Sequence, residues 1–330
     1  MKVRDYSGEK IIMGKYSIGI DLGGTKIIAG VVNKETGEVV GHAKKHTKKE
    51  KGSDIVIQRV FETVEKAICI AGVPINQIDS IGIGAAGQVD RENGVLIASP
   101  NLNCFDLELK RILEEHFNMP VKVGNDVEVA TLGEMRFGNG VGYNNFLCVF
   151  VGTGIGSGIV INGQLMRGAN GTAGEIGHMT VDGGGRPCEC GAYGCLEAYA
   201  SRTAIEKRIK AELRRGESSL ITSILKEDDY ANGTIRSSHM KKALEQGDEL
   251  VLACINEASD YLSSGLSSVI NFLNPEAIVL GGGLVDSIDY FYDIIVKKTK
   301  KKALPTAVSS LKITKAKLGD FSGVVGAALL

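Results

Sequence analysis

The stretch from His178 to Glu197 reads HMTVDGGGRPCECGAYGCLE, with Cys188, Cys190 and Cys195 inside eight residues and ten or more positions after a histidine. Three thiolates and one imidazole make a closed tetrahedral donor set for zinc, which takes soft sulfur and nitrogen ligands. Four protein ligands leave no open position, so a metal held this way is structural and not the catalyst. Gly183, Gly184, Gly185, Gly191 and Gly194 supply the turns such a knuckle needs. The competing reading is a disulfide from Cys195 to Cys188 or Cys190; those two are too close in sequence for an easy bridge to each other. Glu175 and Glu197 flank the segment. Carboxylates that converge with amides suit a polyhydroxylated ligand, because each acid accepts two or more hydroxyl hydrogen bonds. If one His178 nitrogen binds metal, the other is held in a fixed orientation and can donate to that ligand.

Two glycine-rich turns offer anion chemistry. Asp21, Leu22, Gly23, Gly24, Thr25 and Lys26 follow an apolar strand. Gly23 and Gly24 let the backbone approach a phosphate, and exposed N–H groups in such a turn form an anion nest. Thr25 and Lys26 add a hydroxyl and a cation, and Asp21 can orient a hydrated Mg²⁺. Alone, the segment is equally a strand-connecting turn. Gly152-Thr153-Gly154-Ile155-Gly156-Ser157-Gly158 is the corresponding turn in the second half, with Thr153 a hydroxyl donor to phosphate. Two such turns in matching places suit one triphosphate better than two plain hairpins. Gly281, Gly282 and Gly283 follow the apolar run AIVL, and their missing side chains would admit a planar purine.

Asn125-Asp126 closes one element and opens the next. The carboxylate can accept a proton from a substrate hydroxyl, while Asn125 can hydrogen-bond neighbouring hydroxyls. The competing reading of the pair is a helix N-cap, and on sequence alone that reading outweighs the catalytic one by roughly two to one. Gly82, Gly84 and Gly87 satisfy GxGxxG after a short strand, but turn-like QVDRENG follows where a dinucleotide fingerprint should open a helix. No GxxxxGK[ST] segment occurs, which excludes a P-loop enzyme.

The elements that must position these residues alternate. YSIGIDLGGTK is a strand, IIAGVVN and EVVGHAKKH two more. Residues 54–70 carry helical periodicity and close at Gly72. SIGIGAAGQVD is a strand entering a loop, 105–117 a helix, PVKVGND a strand and 127–137 a helix. The pattern then restarts: NNFLCVFVGTGIGSGIVING is strand, turn, strand. Residues 201–274 read as long helical stretches, AIVLGGGL and LKITKAKLG as strands, and an apolar helix starts at Ser322. Two units thus each open with an antiparallel hairpin carrying a glycine turn, a duplication of topology and not of residue identity. Mixed sheets covered by helices follow, with two α/β domains.

The chain has 330 residues, a net charge of −1 and 43 glycines. Near-neutrality argues against a nucleic-acid or membrane-surface role. No apolar run approaches the ~20 residues of a membrane span. The lysine-rich runs 44–51 and 297–302 read as solvated faces, since no aromatic residue is interleaved. Seven cysteines, with Cys69, Cys104, Cys148 and Cys254 scattered singly, fit a reducing, cytoplasmic setting. Residues before Tyr16 read as a loose extension, with Met13 an alternative start.

Together these residues resemble the ROK family, the sugar kinases and repressors of the actin-like ATPase superfamily. The resemblance runs from Tyr16 onward through DLGGTK at Asp21, the pair at Asn125, GTGIGSG at Gly152, ExGH at Glu175, CxCGxxGCxE at Cys188 and the GGG turn. It implies a ribonuclease H-like α/β fold of two domains, 1–124 with 318–330 and 125–317, the C-terminal helix returning to the smaller, with ATP and sugar in the interdomain cleft. It implies Asp126 as general base. Gly87, Asn125, Glu175, His178 and Glu197 would contact the sugar, and His178, Cys188, Cys190 and Cys195 would hold zinc. Asp21, Gly23, Gly24, Thr25, Lys26, Thr153, Gly154 and Gly282 would take ATP with Mg²⁺. The expected activity is phosphorylation of a hexose at its 6-hydroxyl, glucose first, with N-acetylmannosamine or fructose as alternatives and polyphosphate as an alternative donor. A sugar-responsive repressor is disfavoured, because the phosphate turn begins at residue 21 and leaves no room for a DNA-binding domain. A homodimer or dimer of dimers is what the family suggests.

Overall fold

The computed structural model describes residues 14–225 and 233–330. The extension expected before Tyr16 lies almost wholly outside the described residues. The chain divides into two compact units: one takes the chain up to Val141 together with Asp320–Leu330, the other Gly142–Gly319.

The first unit is built on a five-stranded sheet with order β3-β2-β1-β4-β8. Strands β1 (Tyr16–Leu22), β2 (Lys26–Asn33) and β3 (Val39–His46) form an antiparallel meander. After helix α1 (Ser53–Ala71), strand β4 (Ile78–Ala85) runs parallel to β1. The alternation along each strand assigns its two faces. Ile18, Ile20 and Leu22 of β1, Ile27, Ala29 and Val31 of β2, and Ile81 and Ile83 of β4 join one core with Val56, Val60 and Val64 of α1. The intervening residues are largely glycine. A Cβ on Gly19 would lie 1.8 Å from the Val324 carbonyl oxygen, and one on Gly82 would lie 1.8 Å from that of Ala327. The C-terminal helix Ser322–Ala327 therefore rests directly on the sheet backbone. This explains the GxGxxG pattern: Gly82 and Gly84 serve helix packing, not a dinucleotide.

A small antiparallel sheet follows, made of β5 (Gln88–Asp90), β6 (Val95–Ser99) and β7 (Cys104–Leu107). It corrects two expectations. QVDRENG is not merely a turn: Asp90 accepts from the backbone N–H groups of Glu92 and Asn93 at 3.0 and 3.1 Å, an Asx turn that closes a hairpin. The helix expected from residue 105 starts later, as α2 (Leu109–Phe117), because Cys104–Leu107 pairs with β6. Strand β8 (Val121–Asn125) then runs parallel to β4 and leads into α3 (Asp126–Phe137). The unit boundary falls after α3, where the sequence suggested it would fall before. The reason is packing: a Cβ on Gly326 would lie 1.6 Å from the Val129 carbonyl oxygen, so α3 and the C-terminal helix are in backbone contact.

The second unit repeats the topology. Its sheet has order β11-β10-β9-β12-β13, from β9 (Phe146–Val151), β10 (Ile155–Ile161), β11 (Gln164–Leu165), β12 (Ala277–Gly281) and β13 (Lys312–Lys315). Again three strands form an antiparallel meander and two more add in parallel to its central edge. The stretch expected to be helical from 201 to 274 is divided among helices Arg202–Arg214, Ile221–Ile224, Ser237–Glu245 and Glu249–Leu273. Residues 226–232 within it lie outside the described residues. No helix among the described residues is long and apolar enough to cross a membrane.

Candidate active site

In the first unit, Asp21, Gly87 and the Asn125-Asp126 pair stand at the carboxyl ends of three neighbouring parallel strands, β1, β4 and β8. Ligands of open α/β sheets bind at such ends, where successive helix and turn N–H groups converge. At 125–126 the structure forms the helix cap that the sequence suggested. Asn125 is the N-cap of α3: its Oδ1 accepts from the N–H groups of Val127 and Glu128 at 2.9 and 3.1 Å. Its Nδ2 donates to the Gly87 carbonyl oxygen at 3.1 Å. Gly87 has φ 131°, and a Cβ there would lie 2.4 Å from the Ala98 carbonyl oxygen, so only glycine fits. One amide hydrogen of Asn125 is left for a ligand, and Asp126 is fixed at the first position of the helix.

The turn at Gly23 and Gly24 is closed by Gly23 N–H to the Lys26 carbonyl at 3.0 Å and by Thr47 Oγ1 donating to the Gly23 carbonyl at 2.7 Å. A Cβ on Gly24 would lie 2.6 Å from the Asn101 carbonyl oxygen. Thr25 is exposed at the tip. Asp21 is partly buried on the glycine face, beside Gly323. Burial, and after it the negative charge of Asp126, pushes its carboxyl from 3.8 up to about 7; Asp320 adds to the rise, while Lys26 and Lys44 oppose it. Crowded carboxylates of this kind fit a divalent cation, whose charge would relieve both desolvation and repulsion.

In the second unit the matching turn is tight: Gly152 N–H donates to the Gly154 carbonyl at 2.9 Å, with Thr153 exposed. Gly282, φ 92°, lies against the end of β9, where a Cβ would come 2.7 Å from Val151 N. The Thr153 turn and the GGG turn thus sit side by side at the ends of β9 and β12.

Within the second unit, further candidate residues converge on Ile155. Its N–H donates to Glu197 Oε2 at 2.7 Å, and a Cβ on Gly154 would lie 2.2 Å from that oxygen. A Cβ on Gly177 would lie 2.2 Å from the Ile155 carbonyl oxygen, so the segment carrying Glu175 and His178 lies on β10. Burial holds the Glu197 carboxyl above its ordinary range, Glu189 and Glu175 add to this, and the Ile155 N–H and His178 oppose it. Glu175 and His178 are exposed.

The knuckle brings His178, Cys188, Cys190 and Cys195 together with one ligand atom from each within 4.8 Å of the others. Cys190 Sγ and Cys195 Sγ are 3.7 Å apart, and Cys188 Sγ is 3.6 Å from His178 Nδ1. Zinc bonds of about 2.3 Å to sulfur and about 2.0 Å to nitrogen give tetrahedral edges of roughly 3.7 and 3.5 Å. These two separations match those edges, whereas a disulfide needs about 2.05 Å. All seven cysteines are free thiols. Burial, with Cys188 and Cys190 beside it, pushes the Cys195 thiol up to about 12. A bound dication is what would let three adjacent thiols ionise. With Nδ1 turned to the thiols, His178 keeps Nε2 for another partner.

Comparison with protein families matches residues 17–330 to the ROK family. The chain belongs to the ROK family. Glucokinase of Halalkalibacterium halodurans is 35% identical over 317 residues, covering 96% of this chain and 94% of that one. The crystal structure of a ROK family glucokinase from Streptomyces griseus in complex with glucose and AMPPNP superposes with a TM-score of 0.83 at 32% identity, covering 95% and 98% of the two chains. The xylose repressor of Caldicellulosiruptor bescii is 30% identical, covering 94% of this chain and 76% of its own length. The fold is that of the actin-like ATPases, with mixed sheets flanked by helices.

Three residues that the structure brings beside these segments carry no signal in the sequence. Ile155 acts through its backbone N–H, which no side-chain pattern reveals. Lys44 lies in a lysine-rich run that reads as a solvated face. Asp320 stands in the short segment LGD before the last helix, and only the return of that helix to β1 brings it to Lys26 beside the glycine turn.

Proposed function

We propose that this ROK protein is an ATP-dependent hexose kinase that phosphorylates the 6-hydroxyl, with glucose as the first substrate to test. The observation that carries this reading is Asp126, a capped and fixed carboxylate beside Asp21 at the strand ends of a glycine-turn sheet. The relatedness to glucokinases over nearly the whole chain supports it.

Phosphoryl transfer is mostly positioning and charge neutralisation. Asp126 orients the sugar hydroxyl and accepts its proton as that oxygen bonds the γ-phosphorus and ADP leaves. Glu175, Glu197, His178, the remaining Asn125 N–H and the Gly87 backbone hold the other hydroxyls. The turns at Gly23, Gly24 and Thr25, with Lys26, and at Thr153 and Gly154 take the phosphates, and Gly282 leaves room for the purine. Asp21 would hold hydrated Mg²⁺, which supplies charge neutralisation. His178, Cys188, Cys190 and Cys195 would hold a structural Zn²⁺ that fixes one wall of the sugar site. The setting is the cytoplasm, and the assembly a homodimer or dimer of dimers.

The test is coupled ADP release with glucose, mannose, fructose, N-acetylglucosamine and N-acetylmannosamine. Glucose-dependent release with a 6-phosphate product is expected. Release with only N-acetylmannosamine or fructose would move the substrate while keeping the class. Release with no sugar, together with a sugar-sensitive gel shift of upstream DNA, would favour the repressor reading that the similarity to the xylose repressor raises.

A further inference from the structure

Asp320 receives two lysines that are far apart in sequence. Its Oδ1 takes Lys26 Nζ at 2.6 Å and its Oδ2 takes Lys44 Nζ at 3.2 Å. The sheet register makes this possible. Asp21 is opposite Ile28, and Ile28 is opposite Lys44, so the three stand in one row across β1, β2 and β3. Directly opposed residues share a face, and Lys26, two positions from Ile28, shares it too. That is the face covered by the C-terminal helix, with Gly323 beside Asp21. Asp320 lies just before that helix, and Phe321 packs edge-on to His42 with ring centroids 4.9 Å apart. The contact holds the Asp320 segment on β3.

These ion pairs are open to water: the side chains of Lys26, Lys44 and Asp320 are 35%, 53% and 54% exposed. Pairs of that kind add little to stability, so their arrangement is not explained by folding. Both lysines and Asp320 nevertheless act electrostatically on Asp21, the penultimate residue of the strand that feeds the glycine turn. One acidic side chain thus gathers two ammonium groups beside the residues assigned to the nucleotide phosphates. Two lysines drawn together at this turn would each be repelled by the other without a shared anion. Asp320 supplies that anion, leaving one net positive charge in the trio and ammonium N–H groups to spare.

We propose that Lys44 is a second cation for the phosphates of the nucleotide, and that Asp320 is the positioning residue that presents Lys44 and Lys26 together at the Gly23-Gly24 turn. The inference rests on the kinase reading and names two residues of its donor site. The ligand chemistry is a polyphosphate chain; the nucleoside contributes nothing to this contact. Lys44 is therefore sensitive to the number of phosphates, and Asp320 acts only through the lysines.

The experiment measures binding of ATP, ADP and AMP by calorimetry, and KM for ATP and for hexose, in the intact chain and in Lys44→Met, Lys44→Arg and Asp320→Asn. Loss of a charge-assisted phosphate contact is expected to weaken ATP binding in Lys44→Met roughly ten- to hundredfold. AMP binding and the hexose KM should stay within about twofold, and Lys44→Arg should recover most of the ATP affinity. Asp320→Asn should raise KM for ATP with the melting temperature unchanged. Equal ATP affinity in Lys44→Met and the intact chain would overturn the inference, as would equal losses for ATP, AMP and hexose. An intact chain that binds ATP through Lys44 but phosphorylates no hexose would sink the kinase reading alone. A kinase whose KM for ATP ignores Lys44 would sink the inference alone.

Discussion

The side-chain amide of Asn125 donates to the carbonyl oxygen of Gly87 at 3.1 Å. The same side chain caps α3 through Val127 and Glu128. One residue therefore ties the end of β4 to the first turn of the helix that carries Asp126. On the proposed kinase reading, cap and site need not be alternatives, because the cap fixes the turn that carries the Asp126 carboxylate.

Two substitutions separate those roles. Asn125→Asp keeps an oxygen for the Val127 and Glu128 N–H groups but loses the donor to Gly87. It should cost less than about 1 kcal/mol of stability, since Asp and Asn cap equally well. Turnover should still fall, because Gly87 is released and a second carboxylate joins Asp126. Asn125→Ala loses the cap as well and should cost about 1 kcal/mol or more. Urea denaturation and steady-state rates of the two variants check this; equal rates in Asn125→Asp and the intact chain would count against it.

Asp21 gives the stability a pH signature. Its carboxyl titrates at about 7 in the folded chain against an ordinary 3.8. Between those values the folded chain binds a proton that the unfolded chain has released, so stability must fall as pH rises. The contribution is complete below about 4 and is lost as pH passes through about 7. Melting temperatures of the intact chain should therefore decline relative to Asp21→Asn across that interval. A difference that stays flat with pH would mean that the carboxyl is not held up.

The glycine face predicts a packing cost. In Gly82→Ala the new methyl would meet the Ala327 carbonyl oxygen at 1.8 Å, a backbone atom that cannot swing aside. Overpacking typically costs about 1–3 kcal/mol, and backbone contact puts this site at or above the upper end. Chemical denaturation should show that loss; an unaltered midpoint would contradict direct seating of the C-terminal helix on β4.

The knuckle predicts one zinc per chain by elemental analysis. Cys190→Ser should lose it and lower the melting temperature, because binding energy is folding energy when the site exists only in the folded chain. Hexose affinity should fall roughly tenfold or more as His178 and Glu197 lose their frame. A zinc-free variant with undiminished hexose affinity would refute the view that the metal shapes the sugar site.

Much of this was legible in the residues. The knuckle spacing announced that its four donors meet, since four donors within so short a loop have few ways to converge. Both glycine turns and the repeated hairpin followed from strand patterning. What escaped was set by contacts distant in sequence. Cys104–Leu107 looked helical because its pairing partner β6 is invisible locally. Asn125 read as cap or ligand because only the fold places Gly87 beside it. Gly82 and Gly84 imitated a nucleotide fingerprint, for closely packed helices, through a backbone at Gly82 and the Val129 side chain at Gly84, make the same demand for a missing Cβ as a phosphate does.

The central claim is that Asp126 takes the hydroxyl proton in an ATP-dependent hexose phosphorylation. Its most direct test is Asp126→Asn, with glucose-dependent ADP release and glucose binding measured on the same preparation. Turnover should drop by about 10²–10⁴ or more while glucose binding stays within a few-fold. Full turnover in Asp126→Asn, at the rate of the intact chain, would contradict the account.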